Sequence, residues 1–131
     1  MNMQRERFDL HRAQYVKALQ RLHEALAVDE TDIVRDALIQ RFEFTFELAW
    51  KAMYDLLRLQ GENPPKMVRP VLQAAFVARY IADAQAWERI KDYRDETSHT
   101  YDAAKAIEVA AFIRAEAVAA FDALAQVLAK H

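Results

Sequence analysis

Apolar residues recur every three to four positions along most of the chain, the spacing that places them on one face of a helix. This pattern predicts a helix over roughly residues 3–27, a second over roughly residues 32–60, and a short third helix that has Pro70 in its first turn and continues to Tyr80. A fourth helix begins near Asp83, and a last one covers about residues 102–130. Since no stretch alternates like a strand, we predict an all-α, up-and-down bundle of four main helices and one short helix.

Polar residues and helix breakers mark the ends of these helices. Thr31 or Asp29 is suited to cap the second helix, and Asp102 or Thr100 the last one, because side-chain oxygens accept the free amides of a first turn. Gly61 follows the second helix, at the position where a left-handed residue often ends a helix.

The second helix is apolar on more than one face. One stripe of apolar residues suffices to pack against the bundle, whereas Phe44, Leu48 and Trp50 point elsewhere. We therefore expect a homodimer in which a second subunit covers the outer face.

Charged residues follow one another at four-residue intervals on the same helix, at Glu43, Glu47 and Lys51. The sequence favours a charged ladder on the helix surface, in which each pair contributes a few tenths of a kcal/mol, roughly. The alternative is that the carboxylates face a functional site or an interface. On the first helix, His11 and His23 are expected to be solvated, because no carboxylate partner lies at ligand spacing in the sequence.

Length and composition restrict the possible function classes. The 131 residues suffice to bury about two-thirds of the unfolded surface, so we expect one domain over residues 1–131. The absence of cysteine excludes disulfides and thiolate metal sites. The charged start has no apolar segment behind it, and the longest uncharged apolar run covers only residues 109–113. We therefore expect a cytoplasmic protein that does not enter the membrane.

Charge and glycine content narrow the choice further. A formal net charge of −2 argues against broad nonspecific binding of nucleic acid, although a local basic site is compatible with it. The single glycine, Gly61, excludes the Gly-rich loops that cradle phosphates in P-loop and dinucleotide-binding proteins. We expect neither a cofactor nor a metal ion.

Residues 91–102 differ from the rest of the chain because they have no aliphatic side chain and consist of charged, hydroxyl, tyrosine and histidine residues. Arg94 offers a planar, permanently charged guanidinium that suits phosphate. Five residues later, His99 offers an imidazole that exchanges protons near neutral pH. This pair of side chains is what phosphodiester cleavage needs.

Helical geometry sets a condition on this pair. Five residues correspond to a rotation of about 140°, so Arg94 and His99 would not share a face of a straight helix. Either the helix ends near Thr97, where Ser and Thr residues compete for backbone hydrogen bonds, or the two side chains meet across the axis of a dimer.

Four interpretations are compatible with residues 91–102. A metal-independent ribonuclease would use His99 as general acid or base and Arg94 to stabilise charge on the phosphate. A binding module would hold a nucleotide or nucleic-acid phosphate without cleaving it. Glu96 and His99 form a Glu-x-x-His motif of the di-iron type, but that site needs two such motifs and two more glutamates. The last interpretation is purely structural, with Arg94 in an ion pair and His99 at a helix end.

The motif Arg94-x4-His99-x-Tyr101 resembles the Arg-x4–6-His signature of the HEPN superfamily, in particular its small bacterial helical proteins that pair with minimal nucleotidyltransferases. Residues 41–51, with the sequence RFEFTFELAWK, resemble the second-helix signature of the branch called nucleotidyltransferase substrate-binding proteins. The resemblance covers about residues 5–128, and this eleven-residue run is its most specific part.

The resemblance implies a five-helix bundle that dimerises through its long helices, with the motif at the dimer cleft. It implies that Arg94 and His99 are the catalytic residues of a toxin that cleaves RNA, and that a separate minimal nucleotidyltransferase is the antitoxin. In some pairs this partner adds AMP to the tyrosine that matches Tyr101. The other naming of the branch implies a noncatalytic subunit that binds nucleotide or another substrate for a two-component nucleotidyltransferase.

Further residues follow from the same resemblance. The second-helix signature contains the residues expected to support the site or the dimer, Glu43, Glu47, Trp50 and Lys51. Asp95 departs from the pattern, because many relatives have asparagine after the arginine. Its negative charge beside Arg94 is expected to weaken phosphate binding.

Overall fold

The computed structural model describes residues 2–131, which form five helices joined by short turns. The first four are α1 (Met3–Leu26), α2 (Asp32–Leu59), α3 (Val68–Val77) and α4 (Ala84–Glu96). The last, α5, spans residues 103–129 and consists of Ala103–Phe112, a π-helical turn at Ile113–Ala117, and Val118–Ala129. The predicted all-α bundle of four main helices and one short helix is confirmed, and no strand is present within residues 2–131.

Side-chain caps begin the helices at the predicted places. Thr31 Oγ1 accepts a hydrogen bond from the Val34 amide at 3.2 Å, and Asp102 Oδ1 accepts one from the Ala104 amide at 2.9 Å. Thr31 and Asp102 are therefore the caps, rather than the alternatives beside them. Asp83 caps α4 in the same way, through the Ala86 amide at 3.0 Å.

Two helices end in left-handed residues. Gly61 follows α2 with a φ of 89°, as expected. The prediction that α3 continues to Tyr80 is wrong, because Arg79 adopts a φ of 67° and ends the helical path. The Tyr80 amide then donates to the Ala75 carbonyl at 2.9 Å and the Arg79 amide to the Phe76 carbonyl at 3.0 Å. These two bonds form a Schellman motif, for which the sequence offered no glycine as a signal.

An aromatic cluster connects four helices at the centre of the bundle. The Phe121 ring on α5 lies 5.9 Å from Phe42 on α2 and 5.6 Å from Trp87 on α4, centroid to centroid. Tyr15 on α1 meets the same ring edge-on at 6.5 Å, and its hydroxyl donates to the Phe121 carbonyl at 2.6 Å. Because each aromatic pair contributes about 1 kcal/mol beyond simple burial, this cluster fixes the helices relative to one another.

The outer face of α2 is only partly covered. Phe44 is 57% exposed, as expected for a residue outside the bundle core. Leu48 and Trp50 are partly buried and pack against the edge of the core, so they are less exposed than the pattern suggested. The homodimer remains a prediction.

Two histidines of α1 have carboxylate partners that local spacing did not reveal. His11 Nδ1 contacts Asp55, a buried residue of α2 that is 44 positions away, so the expectation of a solvated His11 is wrong. His23 is exposed, as expected, and its Nε2 lies 2.6 Å from Asp122 Oδ1 of α5. Both pairs depend on helix packing, which local spacing cannot show.

Within residues 2–131, no helix combines the length and the apolar character that crossing a membrane requires.

Replacing Tyr15 by Phe tests whether the aromatic cluster needs its hydrogen bond. We expect the free energy of unfolding to fall by about 1 kcal/mol, because the buried Phe121 carbonyl loses a donor. Urea denaturation measures the change. Tyr101→Phe is the control, since Tyr101 is 86% exposed, and an equal loss in both variants would contradict the assignment.

Candidate functional site

The site begins where α4 ends. After Glu96 the chain forms a 3-10 turn over Thr97–His99. The Thr97 hydroxyl donates to the Arg94 carbonyl at 2.7 Å, and the Thr100 hydroxyl donates to the Thr97 carbonyl at 2.8 Å. These hydroxyls bond to the backbone at the helix end, so the predicted break near Thr97 is confirmed. Arg94 consequently lies on the last turn of α4, whereas His99 lies beyond it.

The Arg94 guanidinium is held on its edges and on one face. Nη1 donates to Glu47 Oε1 on α2, and Nε donates to Asp95 Oδ1 at 3.1 Å. The guanidinium carbon also lies 4.9 Å from the centre of the Phe46 ring, a distance suited to a cation–π contact. Its side chain retains 25% of its exposure, so Arg94 is oriented and still accessible.

Glu47 belongs to this site and is not part of a charged ladder on the helix surface. Besides binding Arg94 through Oε1, it accepts a hydrogen bond from Trp50 Nε1 at Oε2, at 3.1 Å. Lys51 forms no ion pair with it in the described part of the chain. The preference for a helix-surface ladder is therefore wrong, because the partner of Glu47 comes from α4 and not from the next turn of α2.

Glu43 lies one turn before Glu47 on α2, near Thr97 and Arg94. Burial raises the pKa of the Glu43 carboxyl and outweighs the lowering by the Thr97 hydroxyl and the Arg94 charge. The neighbouring charge of Glu47 adds to this rise.

The Asp95 carboxylate bridges two cations. Oδ2 accepts a hydrogen bond from Lys91 Nζ at 2.8 Å, and Oδ1 accepts one from Arg94. Burial alone would raise the pKa of Asp95, but the bond to Lys91 and the charges of Lys91 and Arg94 outweigh it and lower that pKa. Asp95 is thus bonded to Arg94, and its expected weakening of phosphate binding remains a prediction.

His99 and Tyr101 form the exposed part of the site. Both side chains are exposed, Tyr101 at 86%, and their rings meet edge-on with centroids 6.2 Å apart. Among the described residues, His99 makes no side-chain hydrogen bond to the Arg94 group. The structure thus brings Arg94 together with Glu47, Asp95 and Lys91, and His99 together with Tyr101.

The di-iron interpretation finds no support in this arrangement. Glu96 binds Lys105 Nζ on α5 at 3.0 Å, whereas His99 is exposed. Across residues 2–131, no three His, Asp or Glu side chains converge in a way that could hold a metal ion.

Sequence reasoning missed the role of Phe46 as the surface on which Arg94 stacks. It lies one residue before Glu47, within the apolar stripe that predicted a core position, and it is fully buried. The spacing of three between Glu47 and Trp50 was a local signal for their contact. The pairing of α2 with the end of α4 had no such signal.

Comparison with known proteins identifies the family of this chain. Residues 10–130 match the family model described as nucleotidyltransferase substrate binding protein like. The chain belongs to this family. The predicted membership in the nucleotidyltransferase substrate-binding branch of the HEPN superfamily is thereby confirmed.

One relative is similar to this chain over part of its length. A protein of Haemophilus influenzae named a probable ribonuclease HepT is 36% identical over an alignment of 92 residues, and the match covers 64% of this chain and 63% of that relative. The chain thus matches less than two-thirds of the length of this relative.

Two solved structures share the fold. HI0074 of Haemophilus influenzae, described as having the fold of a substrate binding domain of a nucleotidyltransferase, has a TM-score of 0.75 at 25% identity over 93% of this chain and 98% of its own. A protein of Thermus thermophilus has a TM-score of 0.71 at 30% identity, over 88% of this chain and 96% of its own.

The opposite pKa shifts of Glu43 and Asp95 provide a test of the site. In a carbon-13 NMR titration, we expect Glu43 to titrate above and Asp95 below the ordinary value of each carboxyl. Lys91→Met should raise the pKa of Asp95, because it removes the hydrogen bond and charge of Lys91, and should leave Glu43 unchanged.

The lowered pKa of Asp95 also makes the stability of the fold depend on pH. Because the folded-state pKa of Asp95 is depressed, its stabilisation is present at neutral pH and is lost as the pH falls through that depressed pKa. Lys91→Met should weaken this dependence. An unchanged Asp95 titration in the variant would contradict the bridge between Lys91 and Asp95.

Proposed function

We propose that this protein is a metal-independent endoribonuclease of the HEPN type, and the toxin partner of a separately encoded minimal nucleotidyltransferase. The observation that carries the proposal is the orientation of Arg94 on the last turn of α4, with His99 exposed directly beyond the helix end. The similarity to the probable ribonuclease HepT supports it.

The proposed reaction uses the 2′-hydroxyl of RNA as nucleophile. His99 takes the proton of the 2′-hydroxyl, whose oxygen bonds to phosphorus while the bond from phosphorus to the 5′-oxygen breaks. The leaving oxygen takes up a proton, and Arg94 stabilises the negative charge that develops on the phosphate oxygens. The products are a cyclic phosphate and a free 5′-hydroxyl.

We propose a homodimer as the active form. Phe44 and Leu48 line a groove of about 330 Å³ between α1 and α2, together with charged residues such as Arg21 and Arg41. A second subunit would cover the two apolar side chains. Two-fold symmetry would bring two motifs together, so that one His99 accepts a proton while the other donates one.

We further propose that the nucleotidyltransferase partner acts on Tyr101. Its side chain is 86% exposed and lies beside His99, so modification by AMP would add a bulky anion at the site. Such an anion would repel an RNA phosphate, which gives the partner a way to restrain the toxin.

A noncatalytic substrate-binding subunit is the second candidate function. The observation in its favour is that Glu47 and Asp95 already neutralise Arg94, which reduces the charge available to a transition state. The relation to HI0074 is compatible with this function too. A nucleotidyltransferase that becomes active only in the presence of this chain would favour it.

Cleavage of RNA by the purified chain tests the nuclease proposal. With EDTA present, we expect His99→Ala to slow cleavage by about 10²-fold to 10⁴-fold, because general acid–base catalysis is lost. Arg94→Ala should slow it by about 10²-fold to 10³-fold. His23→Ala is the matched control, since His23 is also exposed and lies on α1. No cleavage by the wild type would refute the nuclease.

Light scattering tests the homodimer. We expect the wild type to have twice the mass of one chain, and Phe44→Glu to be a monomer, because it replaces the exposed phenyl ring at the proposed interface with a charged side chain. Phe76→Glu is the matched control, since Phe76 is a 46% exposed phenylalanine of α3 outside that groove. A wild-type monomer, or equal masses for wild type and Phe44→Glu, would contradict this interface.

A further inference from the structure

We infer that Glu47 and Trp50 are positioning residues that hold the Arg94 guanidinium in the place where it meets the phosphate. The inference rests on the proposed nuclease, in which Arg94 stabilises charge on the substrate. It assigns a specific role to two residues of α2 that do not themselves touch the substrate.

The contacts of Arg94 leave one nitrogen available. Nη1 is bonded to Glu47, Nε is bonded to Asp95 at 3.1 Å, and one face lies against the Phe46 ring at 4.9 Å. Nη2 has no hydrogen-bond partner among the described residues. A guanidinium has five N–H donors in a fixed plane, so holding two of its nitrogens and one face also fixes the direction of the remaining donors.

Glu47 can hold Arg94 because it is itself held. Oε1 binds Arg94 and Oε2 accepts from Trp50 Nε1 at 3.1 Å, so both carboxylate oxygens are engaged. Trp50 and Glu47 lie on the same side of α2, whose opposite face is in the core. The contacts from Trp50 to Glu47 and from Glu47 to Arg94 therefore fix the position of Arg94 relative to α2, the most buried helix of the bundle.

The other partner of Arg94 cannot provide this link. Asp95 is the next residue of the same helix end, and its side chain is 50% exposed. It moves with Arg94 and gives no connection to another helix. Glu47 is the ion-pair partner that joins Arg94 to α2, within residues 2–131.

A competing role for Glu47 is that of a latch, which would occupy Arg94 in place of phosphate. A latch would have to leave Arg94 when substrate arrives, but Glu47 is also bound by Trp50 and leaves Nη2 available. The two roles predict opposite results, because removing a latch speeds the reaction and removing a positioning residue slows it.

Cleavage kinetics distinguish these roles. We expect Glu47→Ala to lower kcat by about 100-fold with a smaller change in KM, because a displacement of about 1 Å costs that much in catalysis. Glu47→Gln, which preserves side-chain shape, and Trp50→Phe, which removes the indole donor, should each lower kcat less. Glu88→Ala is the matched control, since Glu88 forms an exposed ion pair with Arg69 at 3.3 Å.

A double variant separates positioning from an independent effect. Glu47→Ala combined with Arg94→Ala should cleave no more slowly than Arg94→Ala alone, because Glu47 acts only through Arg94. Additive losses would overturn the inference. So would a higher kcat in Glu47→Ala, which is the result that a latch predicts.

A nitrogen-15 NMR signal from Arg94 Nε tests positioning without cleavage. We expect a sharp signal in the wild type and in Glu88→Ala, and a broadened or averaged signal in Glu47→Ala and Trp50→Phe. If the wild type does not cleave RNA, the nuclease proposal fails while this measurement still decides whether Glu47 orients Arg94. An unchanged signal in Glu47→Ala would overturn the positioning role.

Discussion

The second helix, α2, buries one face in the core and places side chains of the other face at the site. The geometry of the site depends on this division. Phe42 and Phe46 lie fully buried on one side, within the aromatic cluster around Phe121 and Trp87. Phe46 lies between the core and the site. The centre of its ring is 6.5 Å from that of Trp87 and 4.9 Å from the guanidinium carbon of Arg94. The position of the guanidinium thus follows from the packing of the core.

Charge balance at this boundary explains the character of the site. A partly buried guanidinium is costly unless hydrogen bonds replace the water it loses, and Glu47 and Asp95 provide them. Lys91 and Arg94 together face the carboxylates of Glu43, Glu47 and Asp95, so the cluster has no excess of positive charge. In the proposed nuclease, such a cluster would hold one phosphate of the RNA by directed hydrogen bonds, and its charge would contribute little to attracting the rest of the strand. The formal net charge of −2 is consistent with that view.

The sequence predicted the helices well because the signals for them are local. Apolar spacing, the caps Thr31 and Asp102 and the break at Gly61 each depend on neighbours within a few residues. The break after α4 was predicted for the same reason, from hydroxyl groups near Thr97.

Predictions about partners failed wherever the partner came from another helix. Glu47 was interpreted as part of a surface ladder and His11 as solvated, because Arg94 and Asp55 are 47 and 44 positions away from them. Local spacing has no information about which helices pack side by side. The resemblance to a family did include Glu47 and Trp50 in the expected support for the site, although it gave no contact for either.

The proposed reaction requires two proton transfers, which bears on the number of chains that form the site. Cleavage through the 2′-hydroxyl needs one proton removed and one delivered, at opposite sides of the phosphorus. Residues 91–102 contain a single histidine, and Glu43, the carboxyl with a raised pKa, lies on α2 beside Arg94 and not at the exposed end with His99. One chain therefore presents one imidazole to the substrate. A two-fold axis near the 3-10 turn would supply the second from an identical chain, so the proposed homodimer is compatible with the proton balance of the proposed reaction.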